Sequence, residues 1–376
     1  MAFALLFLSK IMSNWNWLQE FNDKAWEDRD IARLQLVDHL FRGEGISHEL
    51  PDEKYAAFEQ GRIHAAQLGE KWWVMVFEFW KIQTLLYKKQ DPAAALKLAA
   101  QCVVETRKPI YDKFPQKAVI HLDMVACYIR IDPIGYQAQI VSALAEVEKS
   151  CGPDSEDYRY FSQVKTRFLW AIESPDSVKA AWDYLRMAEE DDSDHHAVFA
   201  LTYLCGTLYD YDIEAAKALI GDLSIYGITI AKSEKRERLE INFWMWKAVA
   251  RLYDELSSAD DNVGAINRGE ARKIYDYAWR QNSRLAVPRN SIFGAAKAFH
   301  EVNGDFENAL RICQHAIRSI HGHNLDFETA SWRWKKLELL QKLERETARE
   351  EKRLRKVAGR LKSKDYWEGK ISSLGY

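Results

Sequence analysis

Asn303-Gly304-Asp305-Phe306-Glu307-Asn308-Ala309-Leu310-Arg311-Ile312-Cys313-Gln314-His315-Ala316 is the stretch whose reading decides the fold. Gly304-Asp305 is a turn signal. Ala309, Cys313 and Ala316 then fall four and three residues apart, on one face of a helix. Small side chains on that face let a second helix come close. The pattern recurs at Ala95, Ala99, Cys102; Ala138, Ser142, Ala145; Ala181, Leu185, Ala188; Ala216, Ile220, Leu223; and Ala271, Tyr275, Ala278. Successive first markers lie 43, 43, 35, 55 and 38 residues apart. A helix pair cannot bury its apolar face alone, so recurring pairs must stack on their neighbours.

The surrounding chain has the same character. Trp17, Phe21, Trp26, Ile31, Leu34, Val37 and Leu40 keep helical spacing until Gly43-Glu44-Gly45. A second helix is predicted from about Pro51 to Leu68, with Gly69 as its C-cap, and a third from Glu70 to Lys89. Asp91-Pro92 opens a fourth, as N-cap and first helical residue. The one strand-like alternation, Ile225 to Ile230, is short and lies between helical stretches. Glycine and proline together make up about 7% of the 376 residues, against about 12% in average usage. That shortage excludes collagen-like and low-complexity chains and favours long helices with short turns.

Charge and cysteines narrow the classes further. Fifty-three basic and 56 acidic residues leave a net charge of −3, so no global field calls for nucleic acid or membrane. The five cysteines form no CxxC pair, and Cys102, Cys127, Cys205 and Cys313 read as small core residues of a reducing, cytoplasmic protein. The apolar run Ala2 to Leu8 is far shorter than the roughly 20 residues a spanning helix needs. It reads as a helix start, or as a start site placed ahead of Met12. Glu189 to Asp194 beside His195-His196 reads as a solvated acidic turn, because its spacing fits neither a calcium loop nor a zinc helix. His121, His300 and His315 read as partly buried surface residues. No phosphate-loop, nucleophile-elbow or zinc-helix motif occurs, so neither an enzyme nor a cofactor is expected.

Trp246-x2-Val249-Ala250-x2-Tyr253 and Leu122-x2-Val125-Ala126-x2-Ile129, followed by the alanine-marked second helices, resemble the tetratricopeptide repeat (TPR) family. That family builds helix–turn–helix units of about 34 residues. The resemblance covers roughly residues 70 to 335. It implies an all-α fold, a right-handed superhelical solenoid of about six to seven TPR-like repeats. Residues 1–69 would form N-terminal capping helices, 70–335 the array, and 336–376 a basic C-terminal capping helix and tail. The gap from Ala250 to Ala271, 21 residues against 12 from Ala126 to Ala138, suggests about nine residues inserted into a turn within Ser257 to Asn267.

The resemblance also implies a function, a scaffold or adaptor holding a peptide segment or partner protein in a concave groove. With Trp246 as the fourth residue of its helix, the inner wall would carry Trp244, Lys247, Arg251 and Asp254. In other units it would carry Trp80, Thr84 and Tyr87; Asp123 and Arg130; and Gln163, Thr166, Trp170 and Glu173. Cations there would hold a partner's carboxylates through charge-assisted hydrogen bonds. A ligand-responsive regulator is one alternative. The other uses the tail, where Arg333 to Lys370 carries 14 basic and 7 acidic residues and reads as one long amphipathic helix. Its basic face would suit nucleic acid or an acidic protein, or it would simply cap the solenoid or fill the groove. Of the 14 tryptophans, Trp26, Trp72, Trp73, Trp182 and Trp279 read as inter-helix core, and Trp80, Trp170 and Trp244 as inward contact residues.

Overall fold

The computed structural model describes residues 16–47, 50–152, 155–257, 261–284, 290–321, 323 and 325–374. The Ala2 to Leu8 run lies outside them. Among the described residues the chain forms eighteen α-helices and no β-strand. It divides into two compact units, one running to Val164 with His323–Leu325, the other comprising Lys165–Gly322 and Asp326–Tyr376.

The N-terminal unit contains α1 (Asn16–Glu27), α2 (Ile31–Gly45), α3 (Pro51–Leu68) and α4 (Lys71–Gln83), the last continued by a π-helical turn at Thr84–Lys88. It goes on with α5 (Pro92–Glu105), a 3-10 turn at Pro109–Tyr111, α6 (Lys117–Ile131), α7 (Gln137–Ser150) and the start of α8 (Glu156–Ala171). From α1 to α6 each helix packs on the next, and α4 also touches α6. The C-terminal unit holds α9 (Asp176–Glu190), α10 (Asp194–Tyr211), α11 (Ile213–Ser233), α12 (Glu237–Leu256), α13 (Asp261–Asn282), α14 (Asn290–Val302), α15 (Phe306–Ser319), α16 (Asp326–Lys342), α17 (Ala348–Ala358) and α18 (Lys364–Ser373). Here too each helix from α9 onward packs on its successor. In addition α10, α12 and α14 touch one another, so alternate helices form an inner row.

One corner recurs. Arg29, Gln90, Glu173, Asp192, Lys235 and Glu344, together with Gly69 and Gly304, hold φ between 52° and 73° just past a helix end. The following N–H then returns to a carbonyl five or six residues back, as in Asp30→Ala25, Ser174→Leu169, Arg236→Ala231 and Asp305→His300. This is the Schellman closure, which satisfies carbonyls the helix leaves open. Arg29 and Gly69, like Gly304 and Glu344, are 40 residues apart. Several corners lead straight into the next helix: Asp30, Asp91 and Asp305 accept the N–H of Arg33, Ala94 and Asn308.

The alanine markers at 95/99, 181/188, 271/278 and 309/316 are all buried, with Cys102 and Cys313 beside them. The Ala138 unit is different. Ala138, Ser142 and Ala145 are exposed, and α7 buries Ile140, Ala143, Leu144 and Val147 instead. The larger apolar residues set that helix's inward face.

Other expectations are corrected as well. The first stripe breaks at Asp28–Asp30 into two helices, and α2 continues through Gly43 to Gly45. Gly43 is buried, and a Cβ there would stand 2.3 Å from the Phe58 ring, so it marks a helix contact rather than a stop. Ile225 to Ile230 lies within α11, and residues 261–267 lengthen α13 rather than a turn. The tail is three helices, not one. Trp73 is buried and Trp72 and Trp279 are half-buried, but Trp26 and Trp182 are 54% and 38% exposed, on the solvent faces of α1 and α9. His121 and His300 are fully buried rather than at the surface. His300 Nε2 lies 2.9 Å from the Tyr275 hydroxyl, and its Nδ1 3.2 Å from Asp305.

Candidate functional site

The residues expected on one inner wall fall into separate environments. In the N-terminal unit, Trp80 stacks on Phe58 at 6.0 Å between ring centres. Thr84 is buried and donates its hydroxyl to the Trp80 carbonyl (2.8 Å), within the π-helical turn. Arg130 donates to the Leu86 carbonyl at 2.8 Å. Gln163 is half-buried. Asp123 is fully buried, and its Oδ1 accepts from Gln83 Nε2 and the Tyr160 hydroxyl, each at 2.7 Å. Tyr87 hydrogen-bonds Tyr160 in turn. Asp123 Oδ2 has no hydrogen-bond partner among the described residues. Burial lifts this carboxyl from its ordinary 3.8 to about 7, only partly offset by the two donors. These residues brace α4, α6 and α8 against one another.

In the C-terminal unit, Trp244 and Trp246 part company. They are two residues apart, about 200° around a helix with 3.6 residues per turn. Trp244 meets Tyr277 of α13 edge-on at 5.6 Å and carries Lys247 and Lys232 over its ring at 4.8 and 5.7 Å. Arg251 pairs with Asp254 at 3.3 Å on the exposed surface. Trp246 is the inward one. It is the tenth residue of α12 rather than the fourth, which is why the register pointed Trp244 the wrong way.

Trp246 and Trp170 line a partly open cavity of about 220 Å³ in the C-terminal unit. Its wall is built from α8 (Trp170), α10 (Thr202, Gly206, Tyr209, Asp210), α12 (Trp246), α14 (Ser291, Gly294, Lys297) and α16 (Phe327, Glu328, Ser331, Trp332, Lys335). Each helix contributes a face: Ser291, Gly294 and Lys297 are three apart, and Ser331 and Lys335 four apart. Trp170 lies on Gly206, where a Cβ would meet its ring at 2.6 Å, and its indole N–H donates to Asp210 at 2.8 Å. Lys297 pairs with Glu301 at 2.5 Å, and Glu301 also accepts from the Tyr209 hydroxyl at 3.0 Å. A Cβ on Gly294 would meet nothing within 4 Å. The site is therefore a small aromatic chamber whose polar groups are mostly committed to one another.

The last helix closes this unit on its first. Lys370 of α18 bonds both oxygens of Glu173, in the α8–α9 corner, at 2.6 Å, and Tyr366 donates to the same carboxylate at 3.1 Å. Much of the tail's charge is used internally in the same way. Arg333, Lys336 and Arg353 surround the buried Glu350, Arg345 pairs with Glu307, Arg355 with Glu368 and Arg360 with Asp326.

Other chemistry-bearing clusters resolve into packing. His195 meets Arg236 at 2.6 Å and His196 meets the Tyr184 hydroxyl at 2.8 Å, so both histidines tie helices together. Burial, then Arg236, pushes the His195 pKa down to about 4. Among the described residues no group of three or more His, Cys, Asp or Glu side chains could hold a metal ion. All five cysteines are buried thiols. A cavity of about 280 Å³ in the N-terminal unit is lined by Trp17, Phe21, Trp72, Trp73 and Ile110, with Trp17 and Trp72 already bonded to Gln116 and the Ile110 carbonyl. No helix of the described residues is long and apolar enough to cross a membrane.

Fold and site together define an all-helical protein with a small, partly open aromatic-lined chamber. No family model and no curated protein matches the chain.

Proposed function

We propose that the chain is a helical-repeat recognition protein of the tetratricopeptide-like kind, which binds a segment of a partner in the chamber of its C-terminal unit and so assembles or regulates a complex. The observation that supports this reading is the chamber itself: five helices spread from α8 to α16 converge on one aromatic-lined space. Fold alone never fixes function, whereas such a space is the usual form of a recognition site. A ligand seated there would touch the inner row at every turn and stiffen the whole unit.

Co-purification tests it. A partner captured by the wild type should be lost from Gly294→Leu, which fills the chamber, and retained by the surface pair Lys247→Ala/Arg251→Ala. Equal recovery with wild type and Gly294→Leu would place recognition elsewhere.

A further inference from the structure

The one lysine of the chamber wall that makes no ion pair among the described residues indicates what the chamber accepts. Two cations and two acids line it. Lys297 is neutralised by Glu301 at 2.5 Å. Asp210 takes the Trp170 indole N–H, and Glu328 is engaged within the fold. Lys335 is different. Its ammonium lies over the Trp332 ring at 5.2 Å, and among the described residues no carboxylate stands within ion-pairing distance of it. Ser331, one helical turn earlier on α16, lines the same wall and adds a hydroxyl donor. Glu338, three residues further along α16, acts on it only through space, and a half-buried lysine that rests on an indole without an ion pair is a natural anion seat. Around it Trp170, Trp246 and Trp332 present apolar rings. An apolar cavity of about 150 Å³ is enough to hold benzene, so about 220 Å³ admits one ring together with a carboxylate.

We propose that the chamber of the C-terminal unit binds a carboxylate attached to one apolar or aromatic group, with the carboxylate on Lys335 and the apolar body among Trp170, Trp246 and Trp332. This rests on the chamber being the recognition site. The same chemistry is offered by a small free acid and by the C-terminal residue of a peptide.

Three tryptophans in the wall make their fluorescence the readout. Phenylacetate, neutral phenylacetamide and cationic phenethylamine are titrated at constant ionic strength into wild type, Lys335→Met and Gly294→Leu. Lys335→Met keeps the aliphatic stem on Trp332 while removing the charge, and melting curves verify that both variants are folded. Phenylacetate should bind wild type at least about tenfold more tightly than phenylacetamide, as a charge-assisted bond requires. That preference should vanish in Lys335→Met, and all binding in Gly294→Leu. Acetyl-Ala-Ala-Phe with a free or amidated C-terminus separates the sources: binding of the free-acid peptide assigns a peptide end, and binding of phenylacetate alone assigns a small acid. Equal affinity for phenylacetate and phenylacetamide, with both lost in Gly294→Leu, would overturn the anion assignment and leave the recognition site standing. Phenylacetate binding that survives Gly294→Leu unchanged would overturn both.

Discussion

Replacing Asp123 by Asn should stabilise the protein at alkaline pH and leave it nearly unchanged under mild acid. The carboxyl is fully buried between α4, α6 and α8 with one oxygen unpartnered, and burial raises its pKa from 3.8 to about 7. Between those values the unfolded chain has released the proton while the folded chain still holds it. Stability therefore falls as pH rises, by about 1.4 kcal/mol per pH unit, and the loss is complete above about 7. The whole interval amounts to about 4 kcal/mol, of which about 3 kcal/mol lies above pH 5. Asn keeps an oxygen to accept from Gln83 and Tyr160 but never ionises. The assay is urea unfolding of wild type and Asp123→Asn from pH 5 to 8.5, compared as a difference. The difference matters because His39, His121, His195 and His300 are held below their ordinary pKa by burial. Their contribution is present above pH 6.5 and lost as pH falls, so it opposes the Asp123 slope and cancels only in the comparison. The variant should gain about 3 kcal/mol on wild type across this range. Identical pH dependence of the two proteins would refute the claim that Asp123 is buried as the neutral acid.

Other expectations follow from single contacts. Glu350→Gln leaves Arg333 and Lys336 without their buried carboxylate and should cost about 3 kcal/mol, whereas Glu307→Gln, which removes the exposed partner of Arg345, should cost under about 1 kcal/mol, both read by chemical denaturation. Gly227→Ala drives a Cβ to within 2.6 Å of the buried Phe243 ring and should lower stability by about 1–3 kcal/mol, while Gly269→Ala, with open space around it, should raise it by up to about 1 kcal/mol in the same measurement. The five thiols should resist a disulfide reagent in the native protein and react only on unfolding, since burial pushes Cys102 and Cys313 up to about 12.

The helical architecture was legible because it rests on periodicity, and the first alanine markers fall on buried helix faces in five of the six units. The Ala138 register failed because small residues mark a close contact only when nothing larger claims the inward face, and on α7 Ile140, Leu144 and Val147 do. Glycine carried a second code that reading it as punctuation obscured. Gly43, Gly61 and Gly227 each lie under the ring of a phenylalanine on the following helix, so they act as sockets. The corners at Arg29, Gln90, Glu173, Asp192, Lys235 and Glu344 were hidden for the opposite reason. A left-handed residue is expected to be glycine, and these side chains accept a cost of about 1–2 kcal/mol each, offset by the helix carbonyls the corner satisfies. Among the residues that line the chamber, Trp170 is one that helical register also turns inward. Lys297, Ser331 and Lys335 were not legible, because the chamber exists only once α14 and α16 fold onto α10, and no local pattern reports that distance.

Contacts distant in sequence tie the C-terminal unit to itself. In an open stack of helix pairs the inner row faces water along its length and suits an extended peptide. Here α10 touches α14 directly, Tyr209 reaches Glu301 across ninety-two residues of sequence, and α18 returns to Glu173. The pocket among these helices measures about 220 Å³, the size of one side chain with its polar end. The Glu173 seat is held in the left-handed region at φ 58°, and Lys370 lies over the Trp334 ring at 5.0 Å, so the latch is fixed by both backbone and packing. Glu173→Gln keeps the Tyr366 hydrogen bond and removes the charge that holds Lys370. Hydrogen exchange of residues 364–373 should then quicken while exchange in α10 and α12 stays unchanged. Unaltered exchange in α18 would mean that packing on Trp334, rather than the ion pair, keeps the unit closed.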